Sequence, residues 1–302
     1  MENLSPIVLF AFIRLDTLQK TVAALQNNYL ASQSDLFVFV DGPRNEQDVE
    51  SVLVVQEFCH TINGFKNIEL NFNEKNIGLD VSIISGVTKI VNKYGSVIVL
   101  EDDIITARNF LNYMNQSLMF YKNDSRIMMI SGFGLRVVKP FGYEYDVYMF
   151  GRSSSWGWGT WNERWNSIDW QISDWKQFRN NIKEIRSFNK WGGSDLYRML
   201  KQYMRGRKGM WDIRVCYNMF KTKRYAIFPF VSKTQNIGFG ENATHCKKVK
   251  FNRFIHDLDI SDNIVFNLDE NIIPNTTIIK KRLFYYSFIL RLYYKIHNFL
   301  NI

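Results

Sequence analysis

Three adjacent carboxylates, Glu101, Asp102 and Asp103, follow at once on the apolar run Val97 to Leu100. Neighbouring acids repel one another at neutral pH, and this chain has a formal net charge of +9. A divalent cation held by oxygen ligands is the simplest way to make such a cluster compatible, and that cation takes an anionic partner in turn, most naturally a diphosphate. Acids just past a strand also serve as helix caps and loop residues. Here, however, the apolar run is of the kind a central parallel strand needs when both its faces are buried. In open α/β sheets the ligand crevice lies beyond the carboxyl ends of such strands.

Other residues with chemistry lie at comparable points. Asp41 follows a second apolar run, Leu36 to Val40, and enters the turn Asp41-Gly42-Pro43; Arg14 follows a first run that ends at Ile13. Between positions 152 and 175 stand Trp156, Trp158, Trp161, Trp165, Trp170 and Trp175. Trp161 and Trp165 are one helical turn apart, which suits core packing. Trp156-Gly157-Trp158 suits a ligand surface as well, because a glycine between aromatics leaves flat rings open to the apolar C–H faces of a sugar. Trp211-Asp212 pairs an aromatic with a carboxylate. The glycine-punctuated segment from Asn236 through Gly238 and Gly240 to Thr244 and His245 reads as a loop able to close over a ligand.

The periodicity around these residues predicts strands over 6–13, 36–40, 67–72, 96–101, 128–132 and 225–231, with Pro229 restricting the last to an edge or to its own final residues. Helices are predicted over 16–25, 46–61, 80–94, 109–122 and 182–207, the last interrupted at Gly192-Gly193, and from 212 through 220. Strands alternating with helices of this length indicate βαβ units, hence an α/β fold with a mainly parallel central sheet flanked by helices.

At 302 residues the chain is long enough for one large or two small domains, and its 46% hydrophobic content suffices for a sizeable core. The positive balance is compatible with nucleic acid, anionic lipid or phosphorylated ligands. Outside the C-terminal segment the bases are scattered and no nucleic-acid motif is visible, so no nucleic-acid partner is expected. Cys59, Cys216 and Cys246 form neither a disulfide framework nor a zinc pattern, which suits a reducing compartment. Ile7 to Phe12 is too short for a signal core. Residues 280–295 interleave bases with aromatics and aliphatics; the uncharged run between Arg282 and Arg291 falls far short of the ~20 residues that span a bilayer. An amphipathic helix lying in a lipid interface is expected there, with a helix docked on the protein's own core as the alternative.

Taken in order, Asn76-x-Gly78-Leu79, Val99-Leu-Glu-Asp-Asp103, Ser155 to Trp158 with Trp161 and Trp165, Trp211-Asp212, and Gly238-Phe-Gly240 with Thr244-His245 resemble the nucleotide-sugar glycosyltransferases of the GT-A fold. The likeness is to inverting N-acetylglucosaminyltransferases with a Glu-Asp-Asp form of the DxD motif, and to bacterial family two-like sugar transferases. It covers about residues 5–246.

The resemblance implies a Rossmann-like catalytic domain over 1–250, with a nucleotide-sugar half at 1–135 and an acceptor half at 136–250, followed by a C-terminal extension at 251–302. It implies that Asp103 binds Mn²⁺ or Mg²⁺, that Asp102 and Glu101 face ribose and donor sugar, and that Arg14 and Asp41 contact the nucleoside, Asp41 accepting the N3–H of a uracil. Asn76, Gly78 and His245 join the donor side, Trp156, Trp158 and Trp211 the acceptor side, and Asp212 is the catalytic base. Where related enzymes often carry Trp-Asp-x-Trp, this chain has Arg214 at the last place. The activity so implied is metal-dependent inverting transfer of a hexosyl or N-acetylhexosaminyl group from a UDP-sugar to a hydroxyl of a glycan or lipid-linked acceptor. The setting would be bacterial cell-envelope polysaccharide synthesis, in the cytoplasm or peripherally on the inner face of the plasma membrane. Two other readings stand beside it: a sugar nucleotidyltransferase, disfavoured because Phe10 to Asp16 has no glycine for a triphosphate loop, and a non-catalytic carbohydrate-binding relative.

Overall fold

Residues 4–239, 252–254 and 256–300 are described by the structure, a computed structural model. The first apolar run forms β1 (Ile7–Ala11), and its two faces go to opposite sides. Ile7, Leu9 and Ala11 pack with helices α1 (Leu15–Gln26) and α2 (Glu46–Thr61), whereas Val8 and Phe10 pack with α3 (Leu79–Tyr94). The strand β4 (Ser96–Glu101) divides likewise, Ile98 and Leu100 to one side and Val97 and Val99 to the other. That two-sided burial is why both runs are continuously apolar instead of alternating.

With β2 (Asp35–Val40) and β3 (Asn67–Phe72), these strands form a parallel set in the order β3-β2-β1-β4. The helices α1 to α3 supply the crossovers, and α4 (Phe110–Phe120) adds its Phe110, Leu111 and Met114 to the α1–α2 side. The sheet continues through β8 (Trp158–Trp161), β6 (Ile127–Ser131), β9 (Tyr225–Pro229) and β7 (Val147–Phe150). Here β8 runs antiparallel to both its neighbours and β7 antiparallel to β9, while β6 and β9 are parallel. The result is an eight-stranded, mainly parallel α/β sheet flanked by helices. A satellite core fills the space between α7 (Ile182–Gly192), α8 (Leu196–Tyr203) and α9 (Trp211–Thr222); the short helices α5 (Asn162–Asn166) and α6 (Trp175–Phe178) lead into it.

One sequence expectation changes. The segment around Trp158 and Trp161 is a strand, β8, so the helical spacing of Trp161 and Trp165 straddles a strand end and a helix. Because β8 sits between β4 and β6, the halves divided at 135 share one sheet. Of the two places the sequence left for Pro229, the strand's own last residue is the one realised: it ends β9, in register with Val147, where the missing N–H costs no interior ladder bond. A two-stranded sheet of β5 (Ile104–Thr106) and β10 (Thr234–Asn236) was not foreseen, since three-residue strands are too short to show a period.

The C-terminal extension folds back onto the domain. Asp259 pairs with Lys233 and accepts from Asn109 at 3.0 Å, and Phe266 and Ile272 join the α1–α2 side of the core. In place of one amphipathic helix there are two, α10 (Thr276–Tyr285) and α11 (Phe288–Leu300). The first buries Ile278 and Arg282 completely, so for α10 the docked alternative is the one realised.

Candidate functional site

Because β1 and β4 are parallel neighbours with Phe10 in register with Glu101, the residues that follow them emerge at the same sheet edge. Arg14 therefore meets the acids: it forms ion pairs with Asp102 and, at 2.9 Å, with Asp103. Thr21 of α1 donates to the Asp102 carbonyl at 3.0 Å and fixes the backbone between the carboxylates. From the other side, Asn236 at the end of β10 approaches Asp103 Oδ1 at 3.4 Å, and the Ile237 amide donates to the Asp103 carbonyl at 2.9 Å. Gly238 lies so close to Asp103 and the Arg14 guanidinium that there is no room for a Cβ. Residues 236–238 thus lie directly over the acids.

One guanidinium faces three carboxylates, and the imbalance is visible in their protonation. Burial, reinforced by Asp103 and Asp102, holds the Glu101 carboxyl well above the usual range. Burial pushes Asp102 up to about 7 against the opposing pull of Arg14. For Arg14, burial works against the charge, but the two aspartates outweigh it and raise its pKa. Holding protons is how the crowded acids relieve their repulsion here, and a second cation beside Arg14 would relieve it in the same way by favouring the ionised forms.

Asp212 belongs to the same space. It is the second residue of α9, its carboxyl is raised chiefly by burial and further by Asp80, and its charge in turn raises Glu101. Arg152 opposes that rise, and Ser153 Oγ donates to the Asp212 carbonyl at 3.2 Å. A half-buried carboxylate at a helix N-terminus, held above its ordinary pKa, has the character of a general base.

Among the described residues no group of three or more His, Cys, Asp or Glu is arranged to hold a metal ion by itself. Magnesium-type cations need no such cage: one or two carboxylates suffice when substrate phosphates and water complete the shell. The crowded, incompletely neutralised carboxylates at 101–103 fit that mode of binding.

The remaining expected residues fall into three groups. Asp41, Asn76 and Gly78 do come together, in a structural arrangement. Asp41 Oδ1 accepts from the amides of Gly42 and Ile77 at 3.0 Å and from Asn73 Nδ2 at 3.1 Å, and Oδ2 accepts from the Gly78 amide at 2.9 Å. Asn76 donates to the Gly42 carbonyl at 2.9 Å, and Gly42 touches the Lys75 backbone too closely for any Cβ. Asp41 thus anchors loop 73–78 beside β2, and Oδ2, with a single bond, retains acceptor capacity.

Trp158 and Trp211 are corrected. They are 1% and 2% exposed, lie tilted against each other with ring centroids 5.0 Å apart, and offer no face to a glycan. Trp156 alone of the acceptor set is half-buried, edge-on to Phe133, Phe239 and Phe254 at 4.6 to 5.9 Å. His245 lies outside the described residues. Arg152 and Asp80 were not foreseen; each acts through a partner far away in sequence, Asp195 and Arg214 respectively, and no local pattern marks them.

No protein-family model matches the chain, and no curated protein matches it. Among solved structures, it is similar to TarS of S. aureus with 8% identity and a TM-score of 0.37 over 62% of this chain; it spans only 33% of that one. A mannosyltransferase from Pyrobaculum calidifontis, in complex with GDP-Man and Mn²⁺, has 9% identity and a TM-score of 0.40, covering 72% of this chain and 70% of its own. The 4-diphosphocytidyl-2C-methyl-D-erythritol synthase of Anaerococcus prevotii has 9% identity and a TM-score of 0.41, covering 79% and 93%.

Proposed function

We propose that this chain is a metal-dependent inverting glycosyltransferase of the GT-A type, moving a sugar from a nucleotide-sugar, a UDP-sugar for preference, to a hydroxyl of a glycan or lipid-linked acceptor. The observation that carries the reading is the cluster of acids at the end of β4, paired with Arg14 and covered by residues 236–238, with Asp212 of α9 adding its charge to the burial and the Asp103 and Asp102 charges that raise Glu101. Carboxylates from the two parts of the chain thereby address one space, which is the arrangement a donor and an acceptor need.

In this reading Asp103 holds Mn²⁺ or Mg²⁺ together with the donor diphosphate, and the cation supplies neutralisation of the charge that develops on the departing nucleotide. Arg14 adds fixed positive charge beside that diphosphate. Glu101 and Asp102 orient the donor sugar and ribose, and Oδ2 of Asp41 keeps one acceptor direction for an imide N–H. Asp212 takes the proton of the acceptor hydroxyl, and Trp156 positions the acceptor ring. Attack from the side of Asp212 inverts the anomeric centre.

No helix among the described residues is long and apolar enough to cross a membrane. The exposed Phe288, Ile289, Leu292, Ile296 and Phe299 of α11, with Arg291 and Lys295 on the same helix, support a peripheral position on an anionic leaflet, where a lipid-borne acceptor is met.

Thermal stabilisation across a panel of nucleotide sugars, with and without Mn²⁺, tests the donor half of the proposal. A true donor raises the melting temperature by mass action only when Mn²⁺ is present, and Asp103→Ala abolishes the increment. Stabilisation by none of them would end the reading. Pyrophosphate release from a nucleoside triphosphate and a sugar phosphate would replace it with a nucleotidyltransferase.

A further inference from the structure

Beside Asp212, on the acceptor side, lies a cluster of positive charge that the transfer chemistry just described does not use. Arg152 spans Asp195 with both guanidinium nitrogens, at 2.9 and 3.3 Å, and stacks on Tyr286 with 4.1 Å to the ring centroid. Arg291 of α11 reaches the same Asp195 at 3.6 Å. Arg253 lies flat on Phe254 at 4.4 Å, forms no ion pair among the described residues, and leaves its buried Nε without a hydrogen-bond partner.

Two of these arginines converge on one carboxylate, and the third, Arg253, adjoins them through Phe254, whose ring lies 5.9 Å from that of Tyr286. Asp195 is already committed to the bidentate bond with Arg152, so two guanidiniums are left poorly neutralised, and the exposed Arg198 adds its charge at the rim. Burial lowers the pKa of both Arg253 and Arg291; Asp195 opposes the fall in each, and repulsion from the neighbouring arginines adds to it. Folding has brought like charges together from the loop after β7, the segment at 252–254 and α11, at a cost that an anion would relieve.

The location says what kind of anion. Phe254 is edge-on to Trp156 at 5.9 Å, and Ser153, the neighbour of Arg152, is bonded to Asp212. The cluster therefore adjoins the ring-positioning tryptophan and the base, on their acceptor side. On its outer side it adjoins the apolar face of α11. Guanidinium forks are planar and weakly hydrated, and they match phosphate oxygens in pairs.

We propose that Arg253 and Arg291, backed by Arg152, form an anion site that holds a phosphate ester of the acceptor while its sugar hydroxyl reaches Asp212. The proposal rests on the transfer reading and narrows it to acceptors that carry phosphate. That phosphate belongs either to a lipid diphosphate, whose chain would run along α11, or to a phosphodiester in a soluble polymer.

The test uses full-length protein in EDTA, where the carboxylate side has no cation to recruit an anion, with inorganic pyrophosphate as the probe in calorimetric titration. Wild type binds it at one saturable site. The double variant Arg253→Gln with Arg291→Gln weakens binding at least tenfold, the corresponding double Lys variant recovers most of it, and Arg126→Gln, whose guanidinium pairs with Asp124, leaves it unchanged. Unaltered affinity in the double Gln variant, or loss in Arg126→Gln in its place, overturns the proposal. Nucleotide-sugar binding with Mn²⁺, measured on the same variants, separates the two claims. If no nucleotide sugar binds while pyrophosphate still follows the arginines, the transfer reading falls and the anion site stands.

A short prenyl diphosphate that binds more tightly than pyrophosphate, and loses that advantage in Phe288→Ser, identifies the lipid source. A glycerol phosphodiester that competes with pyrophosphate irrespective of Phe288 identifies the polymer.

Discussion

Asp212 and His256 show how burial alone can set what a titratable side chain does. Burial lifts the Asp212 carboxyl toward the range where a base is most effective, so Asp212→Asn is expected to lower kcat roughly 100- to 10,000-fold while donor-induced stabilisation persists. Steady-state rates and thermal shifts on the same sample check both halves of that expectation. His256 moves the other way: burial, with Arg282 and Arg136 nearby, lowers it from 6.5 to about 4. Its folded form therefore stays neutral where the unfolded chain takes up a proton. The stability it contributes is present above about pH 6.5 and is lost as pH falls toward 4. Melting curves between pH 7 and 4.5 should fall less steeply for His256→Gln than for wild type, and equal slopes would refute this account. The acids at 101–103 were legible from their types and position. Their pairing with Arg14 was not, because it depends on β1 and β4 being neighbours, which neither run states by itself.

Elements differ in how much of their role the chain displays locally. Helix α2 was legible to the residue: Asn45 caps it by accepting from the Gln47 amide, and apolar Val52, Val55 and Cys59 recur on one side. Helix α10 was not, since its basic, aromatic composition suits a lipid interface and its burial is decided by β7 and β9. Arg282 shows the consequence. It is 0% exposed, its three guanidinium nitrogens have no hydrogen-bond partner among the described residues, and Tyr148, Phe150, Phe228 and Tyr286 surround it at 4.2 to 5.9 Å. Four ring faces attract the charge, but a buried guanidinium without acceptors forfeits its hydration. Arg282→Met, close in shape and free of that penalty, should raise the melting temperature, by about 1 kcal/mol or more in unfolding free energy; calorimetry showing a loss of that size would mean the aromatic cage outweighs desolvation. Trp158 and Trp211 teach the converse lesson. A strand placed between two others buries Trp158, and the first residue of α9, Trp211, packs against it; aromatic residues beside glycine look the same on a ligand surface and in a core.

For the whole molecule, the C-terminal 50 or so residues are both a structural strap and an outward-facing helix, and truncation should separate the two. A chain ending at 287 keeps Ile278 and Arg282 in place; it should melt near the full-length protein and fail to sediment with anionic vesicles. A chain ending at 270 uncovers Tyr148, Phe150 and Phe228 and should be grossly destabilised or insoluble. Vesicle binding by the 287 truncation equal to that of the full chain would remove the membrane role from α11.

What the sequence by itself determined is the series of buried strands and crossover helices, and with it the α/β class and the sheet edge at which the acids emerge. Apolar period and strand-end position are properties of a few consecutive residues, so they can be read without knowing the partners. Only the tertiary structure decided that Arg14 sits on the acids, that Asp41 also anchors a loop, that two of three candidate tryptophans are core, and that Arg152 and Arg291 converge on Asp195. Each of those outcomes is a sum of burial and charge over segments tens to hundreds of residues apart, and no local pattern contains that sum.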